Sequence, residues 1–201
     1  MRKILPLSEM LEDGFARLGA HKPRESEVVL DTNVFAFNVD YYGEPRKFVV
    51  TSGVVEELAR FPEVFPDEAV YRVRDLLNPE VVECFVSPED EFLITRASLR
   101  NPKNKERRDS WEGPGWADTQ QIGRAMNRAR EGAYVVMVSN DKDIRNVVEE
   151  LGKEVPDVRE KVACVSARDY IGRYHGLWLG LFNSKTRRGL LRGMEDNYKV
   201  A

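Results

Sequence analysis

The sequence predicts an α/β domain: a mainly parallel, five-stranded central sheet flanked by helices, an α/β/α sandwich with a helical insertion. Three observations predict it. Short, continuous apolar runs have the length and β-branched content of strands buried on both faces. Segments with apolar residues at helical spacing alternate with those runs. The chain has 201 residues, 42% of them hydrophobic, which is one ordinary domain with a real core.

The five runs are Val28-Val29-Leu30, Phe48-Val49-Val50, Val81 to Val86, Ala133 to Val138, and Val162 to Val165. A helix is expected after Ser52, with Val54, Val55, Leu58 and Phe61 on one face, and another over Pro66 to Leu77. A third starts near Pro114 and carries Ile122, Ala125, Met126 and Ala129. A fourth runs from about Lys142 to Leu151, with Ile144, Val147, Val148 and Leu151 inward and Gly152 as C-cap.

Three segments read as peripheral to a domain over residues 26–175. Residues 1–25 form an amphipathic helix (Leu7, Met10, Leu11, Phe15, Leu18) and a linker ending near Pro23. Residues 87–114 are polar and basic, a helical insertion followed by a loop. Residues 176–201 hold an apolar patch (Leu177-Trp178-Leu179, Leu181-Phe182) and a basic tail, and the patch suggests a homodimer.

Charge and cysteine usage narrow the function classes. The formal net charge is −3, and 32% of residues are charged. That balance argues against a protein that coats nucleic acid non-specifically, which would be strongly basic. Locally, Arg96 to Arg108 and Lys185 to Arg192 are basic. No run of about 18 apolar residues exists to span a membrane. The N-terminus lacks the apolar core of a signal peptide, so a cytoplasmic location is expected. Cys84 and Cys164 read as free thiols of a reducing compartment.

In a parallel sheet, ligands bind beyond the carboxyl ends of the strands. Asp31-Thr32-Asn33 follows the first run directly, and Ser139-Asn140-Asp141-Lys142-Asp143 follows the fourth. Glu57 precedes an inward Leu58. Asp118 lies four residues before Ile122 and shares its apolar face. Each has an ordinary alternative: helix capping for Asp31 and Asp141, a solvated face for Glu57, a first-turn acid for Asp118. Converging carboxylates repel by roughly 4 kcal/mol per pair at about 4 Å and an effective dielectric near 20, so such a group wants protons or cations. An all-carboxylate set suits hard ions such as Mg²⁺ or Mn²⁺. Zinc is disfavoured, because the two cysteines lack ligand spacing and the only histidines are His21 and His175.

The series VLDTNVF, EEL, WADTQQIGRA and SNDKDI resembles the PIN domain nuclease family over about residues 27–170. The resemblance implies that Asp31, Glu57, Asp118 and Asp141 are the metal-site acids, binding Mg²⁺ or Mn²⁺. Thr32, Asn33 and Ser139 would support them, and Asp143 would assist. It implies an endoribonuclease acting on single-stranded RNA in RNA processing or decay. Hydrolysis by in-line attack of water would leave 5′-phosphate and 3′-hydroxyl ends. Arg96, Arg100, Lys103, Lys105, Arg107 and Arg108 would grip phosphates, and Trp111 and Trp116 would stack on bases or pack on the core. The N-terminal helix, insertion and tail depart from compact toxin ribonucleases, which would need an inhibitor protein. An inactive PIN-like scaffold for RNA or protein, and a structure-specific DNA nuclease, are the rival readings.

Overall fold

In a computed structural model, the structure describes residues 5–19, 26–36, 39–40, 47–60, 80–101 and 114–166. The strands are β1 (Leu5–Pro6), β2 (Ser26–Leu30), β3 (Val39–Asp40), β4 (Lys47–Thr51), β5 (Glu80–Val82), β6 (Tyr134–Val138) and β7 (Val162–Val165). The helices are α1 (Leu7–Arg17), α2 (Ser52–Arg60), α3 (Pro88–Leu99), α4 (Trp116–Arg130), α5 (Lys142–Gly152) and α6 (Pro156–Lys161), with a 3-10 turn over Thr32–Ala36. Five strands form one sheet in the order β5-β4-β2-β6-β7, and every pairing is parallel. A short parallel pairing joins β1 and β3.

Strand alternation sorts the side chains onto two faces. Val29 is paired with Met137, and Met137 with Cys164. These three face one core with Val135 and Val162, which is closed by Ile94 and Ala97 of α3, Ile122, Ala125, Met126 and Ala129 of α4, and Ile144, Val147, Val148 and Leu151 of α5. Val28, Val136 and Val165 look the other way, toward α1. There Gly14 lies so close that an added Cβ would meet the Val136 and Val165 methyls at 3.0–3.1 Å. Leu11 and Phe15 of α1 are wholly buried. This helix, expected at the periphery, therefore supplies the second helical layer. Its hydrophobic spacing was legible, but its partner was not.

The helix expected within a 87–114 insertion is likewise built into the core through Ile94 and Ala97. Ser87 caps it, its Oγ accepting from the Asp90 N–H at 3.1 Å, and Pro88 occupies the first turn, where a missing N–H is harmless. Helix α4 ends in a hydrogen-bonded turn in which the Gly132 N–H donates to Ala129 and the Ala133 N–H to Arg128. Gly132 takes φ +94°, a left-handed conformation that suits glycine, and the chain reverses into β6.

Three expectations are corrected. The strand expected over Val81–Val86 is only Glu80–Val82, an edge strand with Val81 exposed; Ser87 and Pro88 start a helix instead. Gly152 lies inside α5, and Lys153 is the capping position. Val55, placed inward by spacing, is exposed. The helix expected over Pro66–Leu77, Phe61, both histidines and the segment 176–201 lie outside the described residues. Cys84 and Cys164 are free. One follows edge strand β5 and the other lies in β7 at the opposite edge, so they cannot pair. No described helix is long and apolar enough to cross a membrane.

Two buried carboxylates, Glu27 and Asp90, are paired with arginines. Glu27 of β2 is 2% exposed and lies beneath α4. Arg124 grips it with two nitrogens at 2.8 and 2.9 Å, and Arg128 adds a third bond at 3.0 Å. Asp90 receives both terminal nitrogens of Arg130, which holds its carboxyl below the usual range.

Candidate metal centre

The sheet order reverses at β2: the chain runs from β2 outward to β4 and β5, then returns to place β6 on the other side. A crevice opens at such a switch point, beyond the carboxyl ends of the two central strands. Asp31 leaves β2 at that point, and its N–H still donates to Val138 of β6. Ser139, Asn140 and Asp141 leave β6 beside it.

Asp31 is 3% exposed and accepts four hydrogen bonds. The Thr32 N–H (2.7 Å) and Gln121 Nε2 (3.1 Å) donate to Oδ1. Asn33 Nδ2 (2.5 Å) and the Ser139 hydroxyl donate to Oδ2. Burial nevertheless dominates and pushes the carboxyl above the ordinary aspartate range. The Ser139, Gln121 and Thr32 donors oppose that rise, and the Asp141 charge adds to it. Asn33 also ties the two strand ends together, since its Oδ1 accepts from the Asn140 N–H at 2.9 Å.

Asp118 stands in the first turn of α4, where the Gly115 N–H supports its carboxyl. Its pKa is raised to about 7, first by burial and then by the charges of Asp31, Asp141 and Glu57. Among the described residues, no basic side chain contributes. Carboxylates from four segments far apart in sequence thus act on one another at Asp118.

Glu57 reaches this field because α2 is clamped to α4. Gln120 Oε1 accepts from the Gly53 N–H at 2.7 Å, and a Cβ on Gly53 would sit 2.8 Å from the Ala117 Cα. Only glycine permits that approach. One turn later, Glu57 Oε2 accepts the Thr32 hydroxyl at 2.6 Å.

The remaining candidates are distributed as follows. Asp141 is the N-cap of α5, its Oδ1 accepting from the Asp143 N–H at 2.7 Å, and its own N–H donates to Ser139 Oγ. Asp143 points to Asn101 at the end of α3, whose amide donates to it at 2.6 Å. Arg96 is paired with Glu154 and lies over the Phe92 ring, and Arg100 is paired with Glu150 and Glu154. Both are surface ion pairs between α3 and the end of α5. Lys103, Lys105, Arg107, Arg108 and Trp111 lie outside the described residues. Trp116, the first residue of α4, is 58% exposed two positions before Asp118 and is not packed on the core.

Sequence reasoning passed over Gln121. It is fully buried, it holds Asp31, and its Oε1 has no hydrogen-bond partner. Its place one turn after Asp118, at the border of the apolar stripe, was the available signal.

The donor set has the chemistry of a hard-cation site: every carboxylate is an oxygen ligand, and among the described residues no basic side chain acts on Asp118. Closure is a separate matter. Among the described residues, no three His, Cys, Asp or Glu side chains stand close enough together to hold one ion. The reasons are local: Glu57 is turned to Thr32, Asp141 to the first turn of α5, and Asp31 is fully engaged.

No protein-family model, curated protein or solved structure matches the chain.

Proposed function

We propose that this chain is a PIN-like endoribonuclease that hydrolyses single-stranded RNA with Mg²⁺ or Mn²⁺ held by Asp31, Glu57, Asp118 and Asp141. The observation that carries the reading is the state of Asp118, whose pKa is raised to about 7 first by burial and then by the charges of three other carboxylates. A protein gains nothing for its fold by gathering four acids at a switch-point crevice. A cation relieves the repulsion and supplies the function. A bound Mg²⁺ or Mn²⁺ would stabilise charge on the phosphate oxygens and acidify a water toward neutral pH.

The chain's own residues prepare the site. Thr32, Asn33, Ser139 and Gln121 fix both oxygens of Asp31. The Gly53–Gln120 clamp sets the approach of Glu57. Trp116, two positions before Asp118, offers an exposed ring, suited to stacking on an unpaired base. Arg96 and Arg100 already have carboxylate partners, so the phosphate grip proposed for the basic segment falls on Lys103, Lys105, Arg107 and Arg108.

The test is an end-labelled pool of single-stranded RNA, and separately DNA, incubated with Mn²⁺, Mg²⁺ or EDTA beside an Asp31→Asn control. Metal-dependent RNA cutting that Asp31→Asn abolishes, with 5′-phosphate ends, supports the reading. RNA that binds but stays intact in every metal supports a scaffold instead. Cutting confined to branched DNA supports a structure-specific DNA nuclease.

A further inference from the structure

β7 ends the strand order of the large sheet, and among the described residues no strand pairs with its outer side. The Val165 carbonyl accepts from the Ser139 N–H at 2.9 Å, so the backbone groups of Val165 face inward. Successive residues of a strand present their N–H and C=O to opposite sides. Ala163 therefore also faces β6, while Val162 and Cys164 face outward. The Val162 N–H turns back to Val158. The Val162 carbonyl and both backbone groups of Cys164 are left without a ladder partner among the described residues.

This edge lies in a groove of about 600 Å³, lined along its length by Val162, Ala163 and Cys164. Arg17 and Leu18, at the end of α1, form one wall; Val148 and Glu149 of α5 and Val158 and Arg159 of α6 form the other. The two helical layers thus stand on either side of an unpaired strand, the shape that a further strand fills. The groove's charge is mainly positive: Arg17, Lys153 and Arg159 against Glu149. Arg17 is exposed and has no carboxylate partner among the described residues. Lys153 and Arg159 make only surface pairs, with Glu150 and Glu160, which are worth little against an incoming acid. A cation therefore stands on each side of the strand.

We propose that the open edge of β7 is a docking site for an extended acidic segment of a partner protein, which adds to the sheet as a sixth strand. Backbone hydrogen bonds to Val162 and Cys164 hold the segment, and its acids meet Arg17 on one side and Lys153 and Arg159 on the other. Charge selects this occupant. A second copy joined edge to edge about a two-fold axis would set the basic rim against itself. Residues 167–201 of the chain are net basic in sequence, with Asp169, Glu195 and Asp196 outnumbered by Lys and Arg. The proposal stands apart from the metal-centre reading, since the groove is at the sheet's edge and uses none of the four acids.

The test is binding of a fluorescein-labelled eight-residue peptide of Val, Thr and Glu, with acids on both faces, to the full chain, read by anisotropy at low salt. The controls are the same peptide with Lys for Glu, and the acidic peptide with its backbone N–H groups methylated. The acidic peptide should bind, the Lys version at least about 10-fold more weakly, and the methylated one not at all. Arg17→Glu should weaken binding about 5-fold. Cys164→Pro removes an outward N–H, which an edge strand tolerates, and should weaken it by a similar factor, about 5-fold. Hydrogen exchange by NMR should show the Cys164 amide fast in the free chain and at least about 10-fold slower with the acidic peptide. A methylated peptide that binds as well as its parent shows attraction by charge alone and overturns the proposal, as does an acidic peptide that does not bind. A Cys164 amide already protected in the free chain overturns it too. Protection that rises with protein concentration then assigns the edge to a second copy, and protection independent of concentration assigns it to the chain itself.

Discussion

Replacing Asp118 by Asn should stabilise the metal-free protein, and only above about pH 5. Asparagine keeps the shape and can still accept from the Gly115 N–H, but it removes one charge from the cluster. The folded carboxyl has a pKa of about 7 against 3.8 in the ordinary state, a rise of about 3 units. At about 1.4 kcal/mol per unit this sets a ceiling near 4 kcal/mol. About 2 kcal/mol is the working expectation, because neighbouring carboxylates can turn away from a charge that is partly open to solvent. The sign follows from proton binding. Between pH 4 and pH 7 the folded chain holds a proton that the unfolded chain has released. This group's contribution to stability is therefore full below pH 4 and is lost as pH rises through 7. Urea unfolding in EDTA at pH 4.5, 6 and 8 is the assay. The midpoints of wild type and Asp118→Asn should coincide at pH 4.5 and separate in favour of the variant by pH 8. Adding 1 mM Mn²⁺ at pH 8 should raise the wild-type midpoint more than that of the variant. A gap that does not change with pH, or a variant less stable at pH 8, would refute the claim that Asp118 sits in the field of three carboxylates.

Other expectations follow from the same geometry. Gly53→Ala forces a Cβ to within 2.8 Å of the Ala117 backbone; it should destabilise by about 2 kcal/mol in urea and weaken Mn²⁺ binding by moving Glu57 away from Asp118. Arg124→Leu leaves the buried Glu27 with Arg128 alone; a loss of about 3 kcal/mol is expected from equilibrium unfolding. Trp116→Ala should weaken single-stranded RNA binding in EDTA by about 1–2 kcal/mol, read by fluorescence anisotropy, with its urea midpoint close to that of wild type because the ring is exposed.

The core strands were legible because each is a continuous apolar run, a pattern that buried parallel strands share. β5 was not. Val81, Cys84 and Phe85 are apolar as any strand residues are, yet Val81 and Phe85 are exposed, and no local signal marks a strand as an edge. The candidate acids were legible by type and by position after strands. Their convergence was not, since it depends on a sheet order that brings residue 141 beside residue 31 and on a glycine contact that draws α2 against α4. Arg96 and Arg100 show the limit most clearly. In sequence they belong to a basic run, while in the fold they face Glu150 and Glu154 from another helix. Gln121 escaped because a polar residue beside Ile122 reads as the border of an apolar stripe.

The position of β2 has a consequence for the life of the molecule. It is the first strand of the large sheet to be synthesised, and both of its neighbours come later, β6 more than a hundred residues later. A ribosome-bound chain that has made Asp31 and Glu57 cannot yet assemble the crevice, because half of its wall, Ser139 to Asp141, has not been translated. The four carboxylates can come together only after residue 141 has been made. The crevice forms when β6 docks against β2, a strand that has waited for it.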